Sequence, residues 1–254
     1  KLDISGLTDL EYLYCGNNQL TSLDVSGCVQ LQQLAFGTNQ ISNVNLRNCT
    51  QLKTLYCFSN KLTALDVSNC TYLTELNCNN NQISALDVTR HTELTRLVCS
   101  DNKISTLNVT NCTELTQLEC MNNQISALNV SRMTELQYLY CSGNKISSLD
   151  VSKNTKLVAL GIQNNQIREI NVTNCPNLEG LYAFRNQLTK LDLTKNTKLN
   201  ALSCVFNNIS ELDLRSSADL VDIVRNGTRH ENSNNGAVWY ETDLQSRFVE
   251  FDVK

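Results

Sequence analysis

Residues Leu94 to Glu114 read LTRLVCSDNKISTLNVTNCTE, and the same 21-residue phrase begins at Leu10, Leu31, Leu52, Leu73, Leu94, Leu115, Leu136, Leu157, Leu178 and Leu199. An eleventh copy starts at Leu220 and decays. No residue is gained or lost between starts, so the register holds through ten full copies. A fixed period in this range predicts a solenoid, in which each repeat is one coil stacked on the last. Such a body grows linearly and needs no central core, so a length of 254 residues does not by itself imply separate globular domains.

Within a coil, numbered from its first Leu, columns 1, 4, 6, 11, 14 and 16 are apolar. The in-out-in alternation over columns 4 to 6 predicts a short strand, and Leu-Asp-Val-Ser at columns 14 to 17 predicts a second extended segment on the opposite wall. Roughly five residues remain before the next strand, which leaves room for a turn or one 3₁₀ turn but not for a helix. Column 9 is Asn in every full coil: Asn18, Asn39, Asn60, Asn81, Asn102, Asn123, Asn144, Asn165, Asn186 and Asn207. An amide carries both donors and an acceptor, so this column is read as a structural asparagine ladder that satisfies backbone groups where the chain bends inward.

Leu94, Leu97, Cys99, Asn102 and Ile104 spell LxxLxCxxNxI, which resembles the leucine-rich-repeat motif with Cys in a usually aliphatic slot. A short period without a long helix resembles the bacterial surface class of these repeats, close in style to internalins. The resemblance covers residues 1 to about 224, taken as the solenoid domain. It implies a right-handed, curved leucine-rich-repeat solenoid with a parallel β-sheet on the concave side and short extended or 3₁₀ turns on the convex side. Little or no α-helix is expected. The resemblance also implies a protein-binding role and a place outside the bacterial cell, secreted or on its surface.

Residues 225–254 are expected to form a C-terminal β-hairpin capping region. There the polar run RNGTRHENSNNG gives way to AVWYET and RFVEFDV, which alternate on either side of TDLQS. A solenoid's last coil has an apolar edge to cover, and Trp239 is expected in that cap's core. The opening KLDISGLTD matches the last nine positions of a repeat, so the chain is expected to be a piece of a longer protein.

A net charge of −4 with both signs interspersed argues against a nucleic-acid partner, which would need a basic face. No apolar run reaches the ~18–20 residues that membrane insertion needs. The twelve cysteines fall into two columns. Column 6 holds Cys15, Cys57, Cys78, Cys99, Cys120, Cys141 and Cys204, with Phe36, Ile162 or Ala183 elsewhere; column 19 holds Cys28, Cys49, Cys70, Cys112 and Cys175, with His91, Met133 or Asn154 elsewhere. These read as free, buried thiols, because stacked Cβ atoms point the same way and suit a disulfide badly. Cys70, His91 and Cys112 lack the tight C-x-x-C turns of a zinc site. His230 has no recurring partner. Column 15 is Asp or Asn throughout, and the stacked pairs Asp66/Asp87 and Asp192/Asp213 raise calcium as an alternative; a bond from each Asx side chain to the backbone N–H two residues on is the simpler reading. N-x-Ser/Thr triplets such as Asn48-Cys49-Thr50 follow from the repeat wording. No metal and no cofactor is expected.

What does not repeat is where a partner can be read. Columns 3, 5, 7 and 8 flank the strand's inward residues and carry Tyr12, Tyr14, Tyr56, Phe58, Tyr138, Tyr140, Tyr182, Phe184 and Phe206, nine of the chain's fifteen aromatic residues. Glu75, Arg96, Asp101 and Glu119 lie between those clusters. Tyrosine on a sheet offers large contact area at low entropy cost, so the concave face is expected to bind a protein ligand, with Glu75, Arg96 and Glu119 setting orientation. Shielding of the sheet by cross-strand aromatic pairs is the competing explanation. A carbohydrate is the second ligand class that such rings suit, and a spacer that displays another domain is the third reading. No Ser/His/Asp or Cys/His arrangement reaches the varying face, so no catalytic residue and no enzyme activity is expected. A monomer is expected.

Overall fold

The computed structural model describes residues 2–226, 228–231, 237–241 and 248–252. The chain divides into two compact units, Lys1–Leu128 and Asn129–Lys254.

In the first unit each coil contributes one three-residue strand: Tyr12–Tyr14, Gln33–Ala35, Thr54–Tyr56, Glu75–Asn77, Arg96–Val98 and Gln117–Glu119. Neighbours pair in parallel, with Leu13 opposite Leu34, Leu34 opposite Leu55, Leu55 opposite Leu76, Leu76 opposite Leu97 and Leu97 opposite Leu118. The 21-residue spacing of the sequence is thus the register of the sheet. The column-4 leucines Leu34, Leu55, Leu76, Leu97 and Leu118 are 0% exposed, a burial that stabilises by roughly 2 kcal/mol for each side chain. On the opposite wall Leu23–Asp24 pairs in parallel with Val44–Asn45. Between walls the chain makes two successive turns per coil, as where Cys70 N–H donates to Val67 O at 2.8 Å and Leu73 N–H to Cys70 O at 3.1 Å.

In the second unit the strands Tyr138–Tyr140, Ala159–Gly161, Gly180–Tyr182 and Ala201–Ser203 pair in the same way. The decayed eleventh copy departs from the strand pattern. Leu220 and Ile223 fall in columns 1 and 4, yet they lie on helix α1, Ala218–Asn226, both fully buried. A spacing of three residues serves a helical face as well as a coil, and Ser217 at the N-cap decides between them. Its Oγ accepts from Leu220 N–H at 3.1 Å. Phe248–Asp252 then runs parallel to Ala201–Ser203, Ala237–Glu241 pairs with it antiparallel, and Thr228–Glu231 adds a third antiparallel strand. The expected strands of the hairpin are therefore present with one more beside them. The TDLQS turn, most of the polar loop and the side chains of His230 and Trp239 lie outside the described part.

Both units are leucine-rich-repeat solenoid, a parallel sheet with very little helix. Two columns hold the bend after each strand. Column 8 sits in the left-handed region in every full coil, from φ 52 at Ser59 and Asn122 to φ 58 at Thr38, with Gly143 at φ 65. Column 9 then bonds across coils. In the first unit Asn102 Oδ1 accepts from Ile83 N–H at 2.9 Å, while its Nδ2 donates to the carbonyls of Cys78, Cys99 and Ser100 at 3.0, 3.2 and 3.0 Å. In the second, Asn186 accepts from Ile167 N–H at 3.0 Å and donates to Ile162 O at 2.9 Å and Ala183 O at 3.1 Å.

Candidate functional site

The varying columns make a different surface in each unit. In the first, polar groups bond to one another across coils. The Tyr14 hydroxyl donates to Gln33 Oε1, and the Tyr56 hydroxyl donates to Glu75 Oε2. Burial first, and then the bond to that carboxylate, push the Tyr56 phenol above its ordinary 10.0. Arg96 Nε donates to Gln117 Oε1 at 3.3 Å, Gln117 Nε2 reaches Glu119 Oε1 at 2.5 Å, and an Arg96 amino nitrogen lies 4.0 Å from Glu119 Oε1. Asp101 accepts from Asn122 Nδ2 at 2.8 Å. Phe58 lies over Gly37: a Cβ there would meet three atoms of the ring at 2.6 to 2.8 Å. Tyr12 and Tyr14 are the exposed rings, at 50% and 66%.

In the second unit the face is aromatic and small. Tyr138 is exposed, whereas Tyr140, Tyr182 and Phe184 are half-buried. Gly161 stands in register between Tyr140 and Tyr182. A Cβ on Gly161 would come within 2.7 Å of Tyr140 Cδ1, and one on Gly180 within 3.1 Å of Tyr182 Cε2. The rings therefore lean over backbone that has no side chain in the way. Burial raises the Tyr182 phenol above its ordinary value. Phe206 is exposed, and the Arg185 guanidinium carbon lies 5.3 Å from the centre of its ring. Arg185 was not among the residues that the sequence singled out. The available signal was column 8, where every other coil except that of Phe206 carries Asn, Asp, Ser, Thr or Gly.

The fold is matched by solved structures. The family model for two-copy leucine-rich repeats matches residues 50–89. The functional domain of InlJ from Listeria monocytogenes, which includes a cysteine ladder, is similar with a TM-score of 0.71 and 33% identity over 86% of this chain and 59% of that one. An internalin, InlF, also from Listeria monocytogenes, has a TM-score of 0.71 and 28% identity, covering 86% of this chain and 74% of its own. This is an internalin-like leucine-rich-repeat protein. YopM from Yersinia enterocolitica is similar at a TM-score of 0.67 and 26% identity, over 83% of this chain and 46% of its own. The internalin-like chain spans about six-tenths of the InlJ domain, 59% of its length. Comparison with curated proteins gives no match.

The cysteine columns of this internalin-like solenoid have distinct jobs. All twelve thiols are free and buried. Column 6 is a packing slot, filled by 0%-exposed Phe36, Ile162 or Ala183 where Cys is absent. Column 19 instead places, in most coils, a donor at the column-16 carbonyl of the preceding coil. Cys49 Sγ donates to Val25 O at 3.8 Å and Cys112 Sγ to Val88 O at 3.4 Å. His91 Nε2 meets Val67 O at 3.1 Å; Asn154 and Asn196 Nδ2 reach Val130 O and Val172 O, each at 3.0 Å. That shared bond explains why Cys, His and Asn exchange there, a set that size alone does not unite. Burial pushes the Cys49 thiol up to about 11 and Cys70, Cys78 and Cys141 to about 12, so these sulfurs stay protonated and poorly nucleophilic at neutral pH.

Among the described residues, no group of three or more His, Cys, Asp or Glu side chains is arranged to hold a metal ion. The column-15 oxygens are occupied otherwise: Asp66 Oδ1 accepts from Ser68 N–H at 2.9 Å, and Asp192 Oδ1 from Thr194 N–H at 2.9 Å. Hydrogen bonds from Ser68 hold the Asp66 carboxyl below its usual range. Asn45 and Asn108 make the same bond to the N–H two residues on, which is why Asn and Asp alternate freely in that column. Among the described residues, no helix is long and apolar enough to cross a membrane.

Proposed function

We propose that this chain is the non-catalytic, protein-binding part of an exported bacterial surface protein, monomeric, with its ligand on the sheet face expected to be concave. Leucine-rich-repeat proteins of this kind are protein-interaction scaffolds, and the internalin likeness supports a secreted or cell-surface location. The observation that carries the reading is the concentration of aromatic residues in the columns that do not repeat. The scaffold columns are filled by nearly invariant Leu, Asn and Val, so the freedom left to the sequence is spent on Tyr12, Tyr14, Tyr56 and Phe58 in one unit and on Tyr138, Tyr140, Tyr182, Phe184 and Phe206 in the other. Interface cores are enriched in such residues. In the first unit Glu75, Arg96 and Glu119 would orient the partner.

The test is binding to arrays of extracellular proteins and of glycans. It compares the unaltered chain with two folded variants, Tyr12→Ala/Tyr14→Ala/Tyr56→Ala and Tyr138→Ala/Tyr140→Ala/Tyr182→Ala. A protein hit lost in either variant is the expected result and assigns the face. A glycan hit lost in the same way would make the ligand a carbohydrate. A hit kept by both variants would move the site off the sheet face, and no hit at all would leave a spacer as the better description.

A further inference from the structure

Among its described residues, the second unit's face presents one cation without a carboxylate partner. In the coils that start at Leu136, Leu157, Leu178 and Leu199, Arg185 is the single charged residue in columns 3, 5, 7 and 8. Arg185 is exposed and has no carboxylate within ion-pair distance among the described residues. Its guanidinium is instead stationed at the Phe206 ring, 5.3 Å from the centroid. A ring face holds a guanidinium in place without using up its N–H donors. Those donors, in a planar fork, match a carboxylate.

Backbone strain points to the same pair. Arg185 has φ 53 and Phe206 φ 57, a region where bulky residues are uncommon and costly. The same column carries Gly143 and Asn164 in the two preceding coils, residues that suit this conformation. Two adjacent coils have exchanged an easy residue for a strained, exposed one, which is the usual circumstance of a functional position.

One coil away the face offers the complementary group. Gln163 Oε1 is buried with no hydrogen-bond partner and lies 3.2 Å from where a Gly161 Cβ would be. An unpartnered buried acceptor calls for a donor. A carboxylate alone lacks one, but an extended peptide presents a backbone N–H at every residue. Around Gly161 the Tyr140 and Tyr182 rings supply apolar surface for a side chain.

We propose that Arg185, carried on Phe206, is the specificity-determining anchor of this face, and that it takes the Asp or Glu side chain of an extended acidic peptide segment in the protein ligand. The segment's backbone N–H is received by Gln163 Oε1, and an apolar neighbour of the acid lies against Tyr140 and Tyr182. This rests on the protein-binding reading above and names the chemistry of the partner.

The probe is a displayed library of random twelve-residue peptides, selected on the full chain. The expected outcome is enrichment of Asp or Glu next to an aromatic or aliphatic residue, with binding that weakens as salt rises. Arg185→Gln should weaken the selected peptides by on the order of tenfold and abolish the acid preference, while Arg185→Lys keeps the preference with lower affinity. Phe206→Gly should melt no lower than the unaltered chain, because glycine suits that φ, and yet bind the peptides less tightly. Selected peptides without an acid preference, an unchanged preference in Arg185→Gln, or no peptide enriched at all would each overturn the proposal. Peptides that need Tyr140 and Tyr182 but ignore Arg185 would sink this inference and leave the sheet-face reading standing. Peptides indifferent to all three would sink both.

Discussion

The two units share one scaffold and spend their variable columns in opposite ways. In Lys1–Leu128 the face is self-satisfied: Tyr14 with Gln33, Tyr56 with Glu75, and Arg96 with Gln117, which in turn meets Glu119. In Asn129–Lys254 the rings lean over Gly161 and Gly180, Gln163 Oε1 has no partner, and Arg185 rests on an aromatic ring. Polar groups that already hold one another must be separated before a ligand can use them, at a cost comparable to what the ligand returns. Unpaired groups carry no such cost. On the proposed reading, the bonding state of polar residues such as Gln163 and Arg185 sharpens what a concentration of aromatic residues marks, and it favours the second face.

The interiors differ as well, and this gives the largest expected effect. Nine of the twelve cysteines lie in the first unit, and only Cys141, Cys175 and Cys204 in the second. An unfolded thiol releases its proton near 9, whereas Cys49 and Cys112 hold theirs to about 11 and Cys70 and Cys78 to about 12. The folded-state value is raised, so the stability tied to these thiols is intact below pH 9 and is lost as pH rises toward 11 to 12. Each pH unit above 9 costs about 1.4 kcal/mol per buried thiol. Melting should therefore collapse between pH 9 and 11, led by the first unit. Pulsed iodoacetamide labelling at pH 10, read by peptide mapping, should modify Cys49 and Cys70 well before Cys141 and Cys175. Equal labelling of the two sets would break the distinction between the interiors.

Below that effect comes a test of what the units should share. Asn102→Ala strands Ile83 N–H and takes one of two amide donors from the carbonyls of Cys78 and Cys99, which keep Asn81 and Asn123; Asn186→Ala strands Ile167 N–H and takes one of two from those of Ile162 and Ala183, which keep Asn165 and Asn207. Each should cost about 2 kcal/mol in chemical denaturation, since one buried N–H loses its partner outright and two carbonyls lose one of their two donors. A cost in one unit at least twice that in the other would show that the column does not act alike in both.

The scaffold was legible because a solenoid writes its contacts as a period. Leu34, Leu55, Leu76 and Leu97 neighbour one another in space because they neighbour one another in the repeat. The column-15 turn was legible for the same reason, each Asx bonding two residues on within its own coil. Helix α1 was not, because Leu220 and Ile223 satisfy both patterns and the capping bond from Ser217 is a matter of geometry. The donor role of column 19 was hidden by a single substituent, Met133, which fills the slot without donating. Least legible were the bonds of the varying face. Tyr56 and Tyr140 look alike as letters, and only the residue one coil away, Glu75 or Gly161, makes one a hydrogen-bond donor to a carboxylate and the other a ring against bare backbone.

That local difference can be pressed with one methyl group. Gly37→Ala puts a Cβ 2.6 Å from the Phe58 ring, and Gly161→Ala puts one 2.7 Å from Tyr140 Cδ1. In both the ring has to move, at about 1–2 kcal/mol. Peptides selected on the chain should bind Gly37→Ala as before and Gly161→Ala several-fold more weakly. Equal losses would mean that the faces work as one, or that the peptide sits in the first unit.

The smallest effect separates strain that serves the fold from strain that serves a ligand. Thr38 has φ 58, where a β-branched residue is poorly accommodated, and it lies in the same column as Arg185 and Phe206. In the first unit nothing on the face rests on it as the Arg185 guanidinium rests on Phe206. Thr38→Gly relieves the conformation but loosens the unfolded chain, and the net gain should be about 0.5 kcal/mol or a little more. Binding should be untouched. Phe206→Gly relieves comparable strain in the second unit, and there affinity should fall while stability holds. If Thr38→Gly also weakened binding, column 8 would be a recognition surface along the first unit too, and the contrast between the two faces would have to be redrawn around strain instead of around unpaired charge.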